Sequence, residues 1–125
     1  MKIPPNNQAV MPYLILKDVK TFIDFTTQIF GGKLLMQHFR NDDQAITAHA
    51  EIDIHGSTIM CADAVDSFMP QPGSMFVYVD DADVSFHKAV ALGAEIITEP
   101  SSQEYGRTCG IKDTTGNIWW ITSVL

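Results

Sequence analysis

His49 and Glu51 stand two residues apart, so alternation along an extended segment puts both on one face. Asp53 and His55 continue that row. An imidazole beside a carboxylate can move a proton, or supply two corners of a metal site. The same row also suits a solvent-facing strand surface, because Ala48, Ala50, Ile52 and Ile54 form a matching apolar face. A second alternating set is Tyr105, Arg107 and Cys109, directly after a loop expected at 99–104. There the Arg107 fork could pair with a substrate carboxylate or phosphate and Tyr105 could donate a hydrogen bond. Cys109 could attack if the neighbouring cation lowered its pKa. The plainer alternative has Arg107 anchoring the loop or pairing with Glu99 or Glu104, with Cys109 as filler. Trp119 and Trp120 are strand neighbours and must face opposite sides. One belongs to the core; the other, taken as Trp120, lines a cavity wall or a dimer contact.

Elements that position these residues come in duplicate. Asp18 is answered by Asp81, Gly31 by Gly93 and Gly56 by Gly116, at offsets of 63, 62 and 60 residues. A period of that length signals two copies of one supersecondary unit. In the first copy, Val10 to Leu16 reads as a strand, with Pro12 near its start. Asp18 caps a helix whose stripe is Val19, Phe22, Ile23, Thr26, Ile29 and Phe30, closed by Gly31-Gly32. Strands follow at Leu34 to Arg40, Ala45 to Ile54 and Thr58 to Ala62, joined by turns at 41–44 and His55-Gly56. Residues 1–9 read as a loose or edge-lying tail.

The second copy repeats the order: a strand at Met75 to Val79, a helix opened by acids at 80–83, a strand at Ile96 to Thr98, and a hairpin from Gly106 to Val124. Residues 64–73, with two prolines and a terminal Gly, read as the linker. The expectation is one domain over 1–125, with β-α-β-β-β modules at 10–63 and 74–125. At about 60 residues each, neither module would be comfortably stable alone. Phe68, Met69 and Met75 around the linker suggest an adaptable apolar lid, or ordinary packing.

Bulk properties narrow the partners. A net charge of −7 and a pI near 4.7 argue against nucleic acid and anionic membrane surfaces. No apolar run is long enough for a membrane span, and the first residues lack a secretory h-region. Cys61 and Cys109 have no close-spaced metal pattern and read as reduced, half-buried thiols, which points to the cytoplasm. There is no Gly-rich phosphate loop, nucleophile elbow or Cys-x-x-Cys pair.

Six segments together resemble the vicinal oxygen chelate superfamily, and within it the PhnB-like branch. They are Met11–Asp18, His49–Ile52, Gly56–Met60, Phe76–Asp81, Tyr105–Asp113 and Gly116–Ile121. The superfamily includes glyoxalase I, extradiol dioxygenases, fosfomycin resistance enzymes and bleomycin resistance proteins. The resemblance implies an α+β fold in which tandem β-α-β-β-β modules form a half-open barrel of mixed sheet around a shared cavity. It also implies a homodimer, sometimes with exchanged modules. Metal-dependent members take ligands from the first and last strands of each module, which carries over here to Pro12, Met60, Ser74 and Trp120. Neither Pro nor Trp offers a lone pair, and Met and neutral Ser suit a hard divalent ion poorly. The expectation is therefore no family metal and no other cofactor.

Three functions stay open. The first is a metal-free protein that binds a small organic molecule, oriented by Arg107 and Tyr105 with Cys109 and Trp120 nearby. The second is a glyoxalase- or dioxygenase-like enzyme with unorthodox ligands such as His49 and Glu51. The third is a metal-independent lyase- or isomerase-type enzyme, with His49 or Glu51 as catalytic base and Arg107 as charge stabiliser.

Overall fold

The computed structural model describes every residue of the chain except Asp42. By packing, the chain divides into Met1–Gln71 and Pro72–Leu125. The first unit runs β1 (Tyr13–Leu16), α1 (Val19–Phe30), β2 (Lys33–Arg40), β3 (Asp43–Ile54) and β4 (Ser57–Asp63). Its sheet has the order β1-β4-β3-β2, with β1 parallel to β4 and the other pairs antiparallel. The second unit runs β5 (Ser74–Tyr78), α2 (Ala82–Ala91), β6 (Glu95–Gln103), β7 (Gly106–Lys112) and β8 (Ile118–Ser123). Its sheet repeats the pattern as β5-β8-β7-β6, again with only the first pair parallel. The fold is thus α+β with two open mixed sheets. No helix among the described residues is long and apolar enough to cross a membrane.

Each helix covers one sheet face for reasons visible in its sequence. Val19, Phe22, Phe25, Thr26, Ile29 and Phe30 of α1 are buried, above Ala50, Ile52 and Ile54 of β3. Phe25 joins the expected stripe, and Ile23 stays half-buried. Asp18 caps α1 by accepting from the Thr21 amide at 3.3 Å, and Asp81 caps α2 by accepting from the Val84 amide at 3.2 Å. A side chain from each unit's last strand also reaches the helix start. Asp63 accepts from the Val19 amide at 2.8 Å, and Ser123 accepts from the Ala82 amide at 3.0 Å. Burying α1's apolar side chains costs the chain its freedom there, and roughly 25 cal/mol per Å² of buried apolar surface offsets that cost.

Four expectations need correction. Of the expected 99–104 loop, all but Glu104 is strand: β6 continues to Gln103 past Pro100, a proline tolerated because β6 is an outer strand and its register shifts between Thr98 and Ser101. The linker is partly built into the first unit. Gln71 exchanges backbone hydrogen bonds with Ile15 at 2.8 and 3.3 Å, and Val65 with Phe68 at 3.0 and 2.9 Å. The tail is tied down, since Gln8 donates to the Thr58 carbonyl at 2.9 Å and Thr58 donates to the Asn6 carbonyl. Both thiols are buried rather than half-buried, at 0% and 1% exposure. Of the turn at 41–44, Asp42 lies outside the described residues, and Asp43 and Gln44 already belong to β3. The His55-Gly56 turn needs positive φ at both central positions, 49° and 94°, which glycine takes readily at the second.

Candidate functional site

Both sheets leave one face away from their helix, and corresponding positions follow from strand pairing. Tyr13 lies opposite Met60, and Met60 opposite Glu51. In the second unit Phe76 lies opposite Trp120, and Trp120 opposite Gly110. Tyr13-Met60-Glu51 and Phe76-Trp120-Gly110 are therefore the same row, carried twice with different chemistry.

In the first unit the row becomes a hydrogen-bonded chain. His49 Nε2 lies 3.0 Å from Glu51 Oε2, and Asn7 Nδ2 donates to Glu51 Oε1 at 2.9 Å. The Tyr13 hydroxyl lies 3.5 Å from His49 Nδ1, a loose contact, with the two rings 5.8 Å apart. The His49 and Glu51 side chains are only 25% and 13% exposed, so the pair is more enclosed than a solvent face would make it. The hydrogen bond from Asn7, then that from His49, holds the Glu51 carboxyl below the usual carboxylate range. Glu51 accepts a hydrogen bond from His49 Nε2–H, and in that neutral tautomer the Nδ1 lone pair lies toward Tyr13. His55 sits in the turn after β3. Tyr13 and Asn7 were missed from sequence. Tyr13 reads as one more apolar strand residue there, and nothing local shows that Asn7 crosses 44 positions to reach Glu51.

In the second unit the face is aromatic and uncharged. A cavity of about 330 Å³ is lined by Phe76, Tyr105 and Trp120, with Thr98, Ser101, Gln103 and Thr108 as polar groups. Phe76 and Tyr78 pack edge to face at 5.1 Å, and both are more than half exposed. The Trp120 indole donates to Ser74 Oγ at 3.1 Å. Its ring lies so close over Gly110 that an added Cβ would stand 2.6 and 2.8 Å from Cζ3 and Cε3. Trp119 is the core tryptophan, 1% exposed, and donates to Asp113 Oδ2 at 2.8 Å.

The set Tyr105, Arg107 and Cys109 is separated by the structure. Tyr105 lies in the hairpin turn before β7 and lines the cavity. Arg107 and Cys109 occupy the face that packs on α2. Arg107 is held by Asp83 of α2 through Nε at 3.0 Å and a terminal nitrogen at 3.1 Å, and not by Glu99 or Glu104. This pairing holds the Asp83 carboxyl below its usual range and raises the guanidinium. The other terminal nitrogen of Arg107 donates to Ser102 Oγ at 3.3 Å, which ties it to the 99–104 segment as the plainer alternative had it. Burial pushes the Cys109 thiol up to about 11, against the lowering by Arg107, and its Sγ donates to the Ile121 carbonyl at 3.8 Å. Burial pushes Cys61 up to about 12. Neither thiol is poised as a thiolate.

The four positions that correspond to family metal ligands do not suit a divalent ion. Met60 donates its amide to the Pro12 carbonyl at 2.9 Å, so these two do neighbour one another, as do Ser74 and Trp120. Yet the side chains are a pyrrolidine, a thioether, a hydroxyl and an indole that donates rather than accepts. By strand pairing Pro12 corresponds to Met75, and Ser74 to Met11, which adds no harder donor. Among the described residues no three His, Cys, Asp or Glu side chains gather as a metal-binding group.

A family model described as Glyoxalase/Bleomycin resistance protein/Dioxygenase superfamily matches residues 8–121. An uncharacterised protein of Mycobacterium bovis is 29% identical over 123 aligned positions, covering 89% of this chain and 80% of the relative. A Bacillus cereus structure described as a putative 3-demethylubiquinone-9 3-methyltransferase, PhnB protein, superposes with TM-score 0.76 at 20% identity, over 94% of this chain and 100% of its own. TnmS3, described as an antibiotic binding protein from Streptomyces sp. CB03234, superposes with TM-score 0.68 at 16% identity, over 100% and 99% of the two chains.

Proposed function

Since the chain belongs to the glyoxalase/bleomycin resistance protein/dioxygenase superfamily, we propose that it binds a small, uncharged, aromatic organic molecule, without the family metal, on the open face of its second unit. The carrying observation is the cavity at Trp120, where three aromatic side chains meet four neutral polar ones and no charged group. Such a lining favours a planar ligand: ring faces stack on Trp120 and Phe76, while Thr98, Ser101, Gln103 and Thr108 orient its polar edge. The volume suits a molecule of two or three fused rings. TnmS3 shares the fold and is described as binding an antibiotic, which supports the class of activity at the level of architecture. Of the residues expected from sequence to bind, Tyr105 and Trp120 serve this reading, while Arg107 and Cys109 act behind the sheet.

Calorimetric titration with 2-naphthol and quinoline tests it. Saturable binding that is lost in Trp120→Ala is expected; equal binding by the variant would overturn it. Metal content is a second check, because a stoichiometric divalent ion in the purified protein would contradict the metal-free part.

The Glu51-His49-Tyr13 chain favours a second reading, an enzyme that uses His49 Nδ1 as base and Glu51 to hold the imidazole in the required tautomer. Under it, His49→Ala removes turnover of a bound ligand and spares its affinity.

A further inference from the structure

The first unit has a cavity of its own, of about 230 Å³, where the linker segment folds back beside β1. Its walls are mostly apolar, from Ile15, Ala62, Val65 and Phe68, and its polar groups include Arg40 at the end of β2 and Tyr13. We propose that this cavity binds a small aliphatic monocarboxylate, with the acid group on Arg40 and Tyr13 and the hydrocarbon body against the apolar wall. This goes beyond the aromatic site of the second unit and does not depend on it.

Two charged side chains line the cavity, Arg40 and Asp63. Both carboxylate oxygens of Asp63 are engaged inward. Oδ1 accepts from the Val19 amide at 2.8 Å, at the start of α1, and Oδ2 accepts from the Thr47 amide at 2.6 Å. A carboxylate held by two backbone N–H groups at a helix N-terminus keeps its charge directed at the backbone. Thr47 is likewise occupied, accepting from Gln37 Nε2 at 2.9 Å. The Arg40 guanidinium, by contrast, has no hydrogen-bond or ion-pair partner among the described residues, although Asp43 stands opposite Arg40 across β2 and β3. An unengaged guanidinium beside an apolar hollow is what an amphiphilic acid requires, because its planar fork matches a carboxylate. Tyr13 adds a neutral donor, since its contact to His49 at 3.5 Å is too long to hold the hydroxyl firmly. Phe68 is 65% exposed and comes from the folded-back segment, so it can close on a hydrocarbon chain.

The test compares cyclohexylacetate with 2-cyclohexylethanol, which share a body and differ in the acid group. Methyl resonances of Ile15, Ala62 and Val65 report occupancy by NMR titration. The carboxylate should bind on the order of five-fold more tightly than the alcohol. Arg40→Gln should erase that preference while leaving alcohol binding in place, which shows that the cavity is intact. Equal binding of the two probes by the wild type, a preference that survives Arg40→Gln, or shifts confined to other residues would each overturn the proposal.

Discussion

Two halves with the same strand order and the same register carry opposite chemistry on corresponding faces. Where the first unit has Tyr13, Met60 and Glu51 in a row, the second has Phe76, Trp120 and Gly110. The exchange is coupled. Trp120 can lie where it does only because position 110 lacks a side chain, whereas the first unit carries Glu51 there, opposite Met60. The backbone thus sets which residues meet, and a few side chains decide whether the meeting is acid–base or stacking. The hairpin turns diverge in the same way. Asp53 accepts one backbone bond, from Gly56 at 3.1 Å, whereas Asp113 is 4% exposed and collects donors from Thr115, Asn117 and Trp119.

That last contrast predicts the largest effect. Asp113→Ala leaves several buried donors unmatched, including the Trp119 indole, and should cost about 3–5 kcal/mol in urea unfolding. Asp53→Ala should cost about 1 kcal/mol or less. Similar costs would show that the two turns are energetically alike, against the comparison. Gly110→Ala comes next. The new methyl must displace Trp120, at about 1–3 kcal/mol of stability and with loss of neutral arene binding. Unchanged binding would mean that the ring's seat is not what forms the site.

The first unit should show its character in acid. Glu51 titrates below its ordinary value in the folded protein, so its contribution is present above the unfolded carboxylate pKa and is lost as pH falls through the folded one. Urea midpoints measured from pH 7 down to 3 should therefore fall less steeply for Glu51→Gln than for the wild type. Parallel curves would remove Glu51 from the account. The smallest effect is expected at Arg107→Lys. Its pair with Asp83 is only half-buried and lies behind the aromatic face, so melting temperature and arene affinity should both stay within error. Weakened arene binding would return Arg107 to the ligand.

Much of this was legible in the sequence, for identifiable reasons. Asp18 and Asp81, and the glycines that follow at matching offsets, announce their caps and turns through local chemistry, so the duplicated modules could be read directly. His49 and Glu51 share a face because strand alternation demands it. Alternation failed at Tyr105, which was grouped with Arg107 and Cys109 on one strand face although the strand begins at Gly106, as expected, and leaves it in the turn. It also could not say which face of β7 meets a helix, and so grouped Arg107 with the ligand rather than with Asp83, which is 24 positions away. Asn7, Tyr13 and Arg40 acquire roles only through contacts or a shared cavity between distant segments. Pro100 suggested a loop because proline is excluded from central strands, but β6 is an edge.

The central claim, that the second unit's face receives a neutral arene at Trp120, is most directly tested by fluorine NMR of protein labelled with 5-fluorotryptophan. Its two resonances report Trp119, sealed against Asp113, and Trp120, open at the cavity. Saturable movement of the Trp120 signal alone on adding 2-naphthol is the predicted result. Two stationary signals, or equal drift of both without saturation, would contradict it.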